Sequence, residues 1–161
     1  MTQIVPFETM TQEETNKLLQ QRVTMFTGYA FALAQKVGLT PEEAAQFFME
    51  PHRADYATPS TSISRDEILE MQARNSAMSM AVSHGGSNVQ LESDNDTWLV
   101  KVMLAQDKSI IEQWGISLEF LARWLGEQAR LIGEPKGVVY TCWLDGEVLN
   151  VQLKLASNKQ L

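Results

Sequence analysis

Apolar residues recur at helical spacing along the first quarter of the chain. Leu19, Val23, Phe26, Ala30, Leu33, Ala34 and Val37 share one stripe, the pattern of an amphipathic helix. Thr11 and Glu14 have the spacing of a capping box, and Gly38 is placed as a C′ stop. A helix is therefore predicted over about 12–37. A second apolar row at Leu18, Met25 and Tyr29 adds another face, as expected for a central helix or one shared with a partner subunit.

Thr40-Pro41-Glu42-Glu43 repeats the start signal with proline at the first helical position, predicting a helix over about 41–50 that Pro51 ends. Residues 51–63 are polar and carry Pro51 and Pro59, which reads as a long irregular connection, either a lid or a surface excursion. Ser64 and Glu67 form a third capping box and open a helix over about 65–83. Ile68, Met71, Met78 and Val82 lie on one stripe of it, and Leu69, Ala73, Ala77 and Met80 on another. Two apolar stripes predict burial on two sides.

After His84-Gly85-Gly86 the apolar period changes from helical to alternating. A hairpin is predicted over about 88–104, with Ser93-Asp94-Asn95-Asp96 as a four-residue turn that sets Leu91 opposite Trp98 and Val89 opposite Val100. A short helix is expected around Lys108–Trp114, and then Ser117 caps a helix over about 118–132. Asp145-Gly146 is a type I′ turn dipeptide. It predicts a second hairpin over about 138–155, pairing Trp143 with Val148 and Cys142 with Leu149. The pattern describes an α+β fold: N-terminal helices packed with a four-stranded antiparallel sheet made of two hairpins joined by a helix. Residues 1–161 read as one domain, with 1–10 and 156–161 as flexible ends.

Composition narrows the function classes. The 161 residues include 13 basic and 20 acidic side chains, a net charge of −7, with 44% hydrophobic residues. That hydrophobic share supports a packed interior and excludes disorder throughout. The acidic balance repels phosphate backbones, so nucleic acid is not an expected partner. No apolar run reaches the ~20 residues of a membrane helix, and the N-terminal MTQIVPFETM has neither a basic nor an apolar leader segment. One cysteine, Cys142, precludes an internal disulfide. A cytoplasmic location is expected.

Several motifs invite chemistry and fall short of it. Cys142 and His84 are the thiol and imidazole that a nucleophilic site requires, yet the strand pattern places Cys142 on the apolar sheet face, where an inert thiol is the rule. His84-Gly85-Gly86 resembles the backbone donors of an esterase oxyanion hole. No Gly-x-Ser-x-Gly elbow accompanies it. The acidic run Glu92–Asp96 lacks the glycine and distal glutamate of a calcium loop. His52 and His84 lack zinc-ligand spacing, so no metal or cofactor is expected. Residues 29–45 have helix-turn-helix spacing, but Glu42, Glu43 and Glu50 occupy the would-be recognition helix.

The strongest candidate is a ligand site built from Arg53 and Tyr56 in the irregular connection and Met71, Arg74, Asn75 and Met78 on the helix that follows. Methionines are adaptable liners and an arginine can hold a carboxylate, which suits a small apolar or carboxylate-bearing ligand. Arg74 also stands four residues after Glu70, the spacing of a surface ion pair. The expectation is a non-enzymatic ligand-binding or protein-interaction domain that forms a homodimer. A small hydrolase or transferase using His84 and Cys142, or polar groups near Arg53 and Arg74, is the alternative. A third reading is an acidic partner of a basic protein.

Overall fold

A computed structural model describes residues 11–56, 63–84, 86–94, 96–104, 112–113 and 115–157. The predicted turn tip at Asn95, most of the predicted 108–114 helix, the end of the 51–63 connection and the extreme termini lie outside the described residues. Helix α1 spans Gln12–Lys36, α2 Pro41–Met49, α3 Arg53–Tyr56, α4 Arg65–His84 and α5 Leu118–Gly133. The strands are β1 Val89–Asp94, β2 Thr97–Met103, β3 Val138–Asp145 and β4 Val148–Leu155. Together they form the expected α+β arrangement of helices on an antiparallel sheet.

The helix starts follow the sequence signals. Thr11 and Thr40 each accept from the backbone N–H three residues on, while Glu14 and Glu43 reach back to the cap N–H at 2.8 Å. Ser64 and Glu67 exchange the same pair of bonds. These hydrogen bonds hold the three glutamates below the ordinary carboxylate range. Their capping contribution is therefore present above that range and fades as pH falls through it. Gly38 ends α1 at φ 82, and Leu39 N–H then closes onto Ala34 O at 3.0 Å. Part of the supposedly irregular connection is helical: a 3₁₀ turn at Glu50–His52 leads straight into α3.

The strand order is β1-β2-β4-β3, so the two hairpins join through an antiparallel β2–β4 pair. Each hairpin turn differs from the sequence expectation. In the first, Asp94 pairs with Thr97, which leaves a two-residue connection and sets Leu91 against Val100 and Val89 against Val102. In the second, Asp145 remains in the ladder opposite Val148, and Cys142 faces Val151. The turn there is Gly146-Glu147, with Gly146 at φ 59. Two-residue connections match the right-handed twist of the strands, and a glycine at positive φ fits the first loop position. Both shifts are by two residues, so no side chain changes face.

The inner sheet face is apolar, with Val100, Val102, Leu149 and Leu153 fully buried and Trp98, Tyr140, Cys142 and Leu144 packed around them. Helices α4 and α5 cover that face. Helix α2 lies on α5, tied at the surface by a two-bond Arg123–Glu42 pair at 2.8 Å. The C-terminal half of α1 packs through Phe31, whose ring meets Trp124 edge-on at 4.7 Å and Phe120 at 5.8 Å.

One burial expectation is narrowed to one of its two alternatives and one is corrected. Helix α1 is not central: Gly28, Phe31 and Ala34 form its buried side, and the stripe containing Leu19, Phe26, Leu33 and Val37 is exposed. Nor is α4 covered on both apolar stripes. Leu69 and Ala73 are buried with Met80 packed beside them, while Met71, Met78 and Val82 are exposed. In both helices a single body lies on one side, and Leu19, Phe26, Leu33 and Val37 of α1 and Met71, Met78 and Val82 of α4 stay exposed.

Candidate functional site

A cavity of about 440 Å³ lies where α1, α4, α5 and the sheet meet. Its two long walls are helix faces with the same residue spacing. From α4 come Gln72, Ser76, Ser79 and Ser83, and from α5 come Leu121, Leu125, Gln128 and Ile132. Residues four and three apart stack on one helix face, so α4 presents mostly hydroxyls and α5 mostly aliphatic groups. Phe31, Trp124, Met80 and Ala129 add apolar surface, and Tyr140, Cys142 and Val151 form the floor. Serines on α4 and Gly28 on α1 are too small to fill the space between the walls. The volume falls within the ~300–1,000 Å³ of small-molecule sites, which combine apolar walls with a few polar groups.

Those polar groups are unevenly satisfied. The Tyr140 hydroxyl donates to Gln72 Oε1 at 3.3 Å, and Gln72 is itself buried. Burial pushes the Tyr140 phenol up to about 12, so it stays protonated. Lys136, in the 3₁₀ turn after α5, lines the cavity, and burial lowers its ammonium below the ordinary lysine range. The Trp124 indole Nε1–H is fully buried and finds no acceptor among the described residues. Native interiors rarely leave a buried donor unmade, because doing so costs ~1–3 kcal/mol.

The chain matches no family model and no curated protein. The site therefore rests on its geometry. His84 and Cys142 line the same cavity, one at the end of α4 and the other on the floor. Burial pushes the Cys142 thiol up to about 12, which keeps it from the thiolate form that attacks electrophiles. At pH 8 such a thiol is ionised about once in 10⁴ molecules, against about once in four for an ordinary cysteine. Iodoacetamide is accordingly expected to label the native protein about 10³-fold more slowly than the urea-unfolded chain, measured by intact mass. Comparable rates would restore the nucleophile.

The other sequence candidates are dispersed. Asn75 lines the cavity. Arg74 points elsewhere: its Nε bonds Glu70 at 2.8 Å and its guanidinium stands 5.8 Å from the Trp98 ring centroid. Met71 and Met78 are exposed. Arg53 lies beside a second concavity formed with Gln46, Met49 and Leu131, near Glu50 at 3.7 Å. The side chain of Tyr56 lies outside the described residues. Among the described residues there is no group of three or more His, Cys, Asp or Glu able to hold a metal ion, and no helix long and apolar enough to cross a membrane. The residues that sequence reasoning missed are Trp124, Lys136 and the serine stripe of α4. The 4-3-4 spacing of Gln72, Ser76, Ser79 and Ser83 was the available signal.

Proposed function

We propose that the protein is a non-enzymatic binding domain for a small, mainly apolar molecule with a carboxylate end, held in the cavity between α4, α5 and the sheet. One observation carries this reading: Trp124 lines the cavity, and its buried indole N–H has no acceptor among the described residues. A small turn of the indole would bring that N–H to a ligand oxygen, which would supply the missing bond and remove its ~1–3 kcal/mol penalty. Lys136 adds a cation among the lining residues, and a carboxylate beside it would favour the charged form that burial opposes. The aliphatic face of α5 accommodates the rest of the ligand.

The alternative, a hydrolase or transferase using His84 and Cys142, has both groups on the cavity wall. It requires a thiolate that burial disfavours.

Decanoate and decanol are suitable probes, because they share a chain and differ in the polar end. Decanoate at 100 times its dissociation constant should stabilise the fold by about 2.7 kcal/mol, a melting shift of roughly 5–10 °C for a chain of this size. Decanol should shift it less. Affinity for decanoate should be highest where Lys136 is charged and should fall as pH rises through its lowered pKa. If calorimetry and native mass spectrometry find no bound decanoate at millimolar concentration, the carboxylate reading is wrong.

A further inference from the structure

We infer that the exposed face of α1 pairs with the same face of a second copy, as an antiparallel two-helix seam. Leu19, Val23, Phe26, Ala30, Leu33 and Val37 follow one another at intervals of 4, 3, 4, 3 and 4 residues. This is the alternation of a and d positions in a coiled coil, sustained over nearly three heptads. The stripe lies away from Phe31, which anchors the helix to its own body, and Leu19 is 55%, Phe26 63%, Leu33 61% and Val37 65% exposed.

Area and shape point to a second copy. From the exposure of these side chains the stripe offers roughly 550 Å² per chain, and so about 1,100 Å² in a pair, which clears the ~1,000 Å² of a biological interface and lies just under the ~1,200 Å² of a standard one. A patch of that extent is at the upper end of the ~300–600 Å² that the largest apolar patches of monomers reach, and such patches are often functional. A stripe that is periodic and continuous is complementary to itself under a twofold axis.

The order of side-chain sizes selects the orientation. In a parallel pair Phe26 would meet Phe26 and Ala30 would meet Ala30, an overfilled layer beside an empty one. An antiparallel pair centred at the level of Gly28 sets Leu19 against Val37 of the partner subunit, Val23 against Leu33 of the partner subunit and Phe26 against Ala30 of the partner subunit. Each layer then combines a larger with a smaller side chain. The same arrangement sets the two helix dipoles antiparallel, the favourable orientation for helices lying side by side. It also places the N-terminal half of α1, which has no fully buried described residue before Gly28, along the body of the partner.

Sedimentation of the full chain at about 50 µM is expected to give twice the 18.1 kDa chain mass. Phe26→Glu should reduce it to the single chain mass with unchanged circular dichroism, since that side chain contributes nothing to the core. Orientation is read by oxidation. Positions 19 and 37 are about 27 Å apart along one helix, so with the native thiol removed by Cys142→Ala a disulfide in Leu19→Cys/Val37→Cys can only join two copies. The double variant should crosslink and Leu19→Cys alone should not. A wild-type monomer, a Phe26→Glu dimer, or crosslinking by Leu19→Cys alone would each overturn the proposal.

Discussion

Gly133→Ala is expected to lower the melting temperature by roughly 6–12 °C, the equivalent of about 3 kcal/mol in a chain of this length. Helix propensity alone predicts the opposite sign, because alanine gains up to ~1 kcal/mol over glycine inside a helix. The backbone offers no objection either: Gly133 sits at φ −83 and ψ −39, ordinary helical values. The cost comes from packing. A methyl group at this position would lie 2.6 Å from the carbonyl oxygen of Val138 and against the edge of the Tyr140 ring. The carbonyl belongs to the β3 backbone, and Tyr140 is held between Gly133 and Gln72, so neither neighbour gives way without moving the strand. Gly126→Ala is the internal control. Its added carbon would meet Cys142 Cβ at 3.4 Å and Sγ at 3.8 Å, close to ordinary contact. It should leave the melting temperature unchanged or raise it. Thermal unfolding followed by circular dichroism distinguishes the two, and a Gly133→Ala protein as stable as wild type would show that the α5–β3 contact is not tight.

The contrast between these two glycines illustrates what the sequence conveys. Helix starts were legible because each needs only a local pair, such as Thr40 with Glu43, whose hydrogen bonds form within one turn. The faces of the strands were legible because side-chain direction alternates regardless of which residue lies opposite. Register was not, since it depends on where the turn closes, and Ser93-Asp94 and Asp145 have turn-like composition yet remain in the ladder. The order β1-β2-β4-β3 was not legible either. It is set by the antiparallel match of Val100 to Val151 and Val102 to Leu149, contacts between strands about fifty residues apart.

The candidate site was legible in part, for a related reason. Asn75, His84 and Cys142 were singled out for their chemistry and do line the cavity. Arg74 and the methionines drew attention as polar or adaptable residues in an apolar context, but helix rotation carries Met71, Arg74 and Met78 to the exposed side of α4. The walls consist of residues that look ordinary in a sequence. Serines on one helix and leucines on another become a cavity only when the two are held apart by Phe31, Trp124 and the sheet floor. An unmade hydrogen bond, such as that of Trp124 Nε1, is a property of the packed state alone.

Ala129→Phe is expected to weaken decanoate binding by more than 100-fold while leaving the fold intact. Ala129 is on the α5 wall, and a phenyl ring projecting from it would occupy space that the ligand chain needs. Filling an existing void with apolar atoms also adds packing contacts, so the melting temperature of the free protein should hold or rise. Loss of binding without loss of stability separates a blocked site from a damaged fold. Trp124→Phe isolates the polar half of recognition. It keeps an aromatic ring against Phe31 and removes a donor that is unsatisfied in the free protein. Loss of indole packing and relief of the orphaned donor are of similar size, each ~1–3 kcal/mol, and opposite in sign. The free protein should therefore melt within about 3 °C of wild type, while decanoate affinity falls by at least about tenfold, since one hydrogen bond to a charged acceptor is worth ~1.5–3 kcal/mol. Decanol, which lacks the charge, should lose less. Calorimetric titration of both variants with both probes gives four numbers. Wild-type affinity for decanoate in Ala129→Phe would place the ligand outside the cavity, and an unchanged value in Trp124→Phe would remove the indole from recognition.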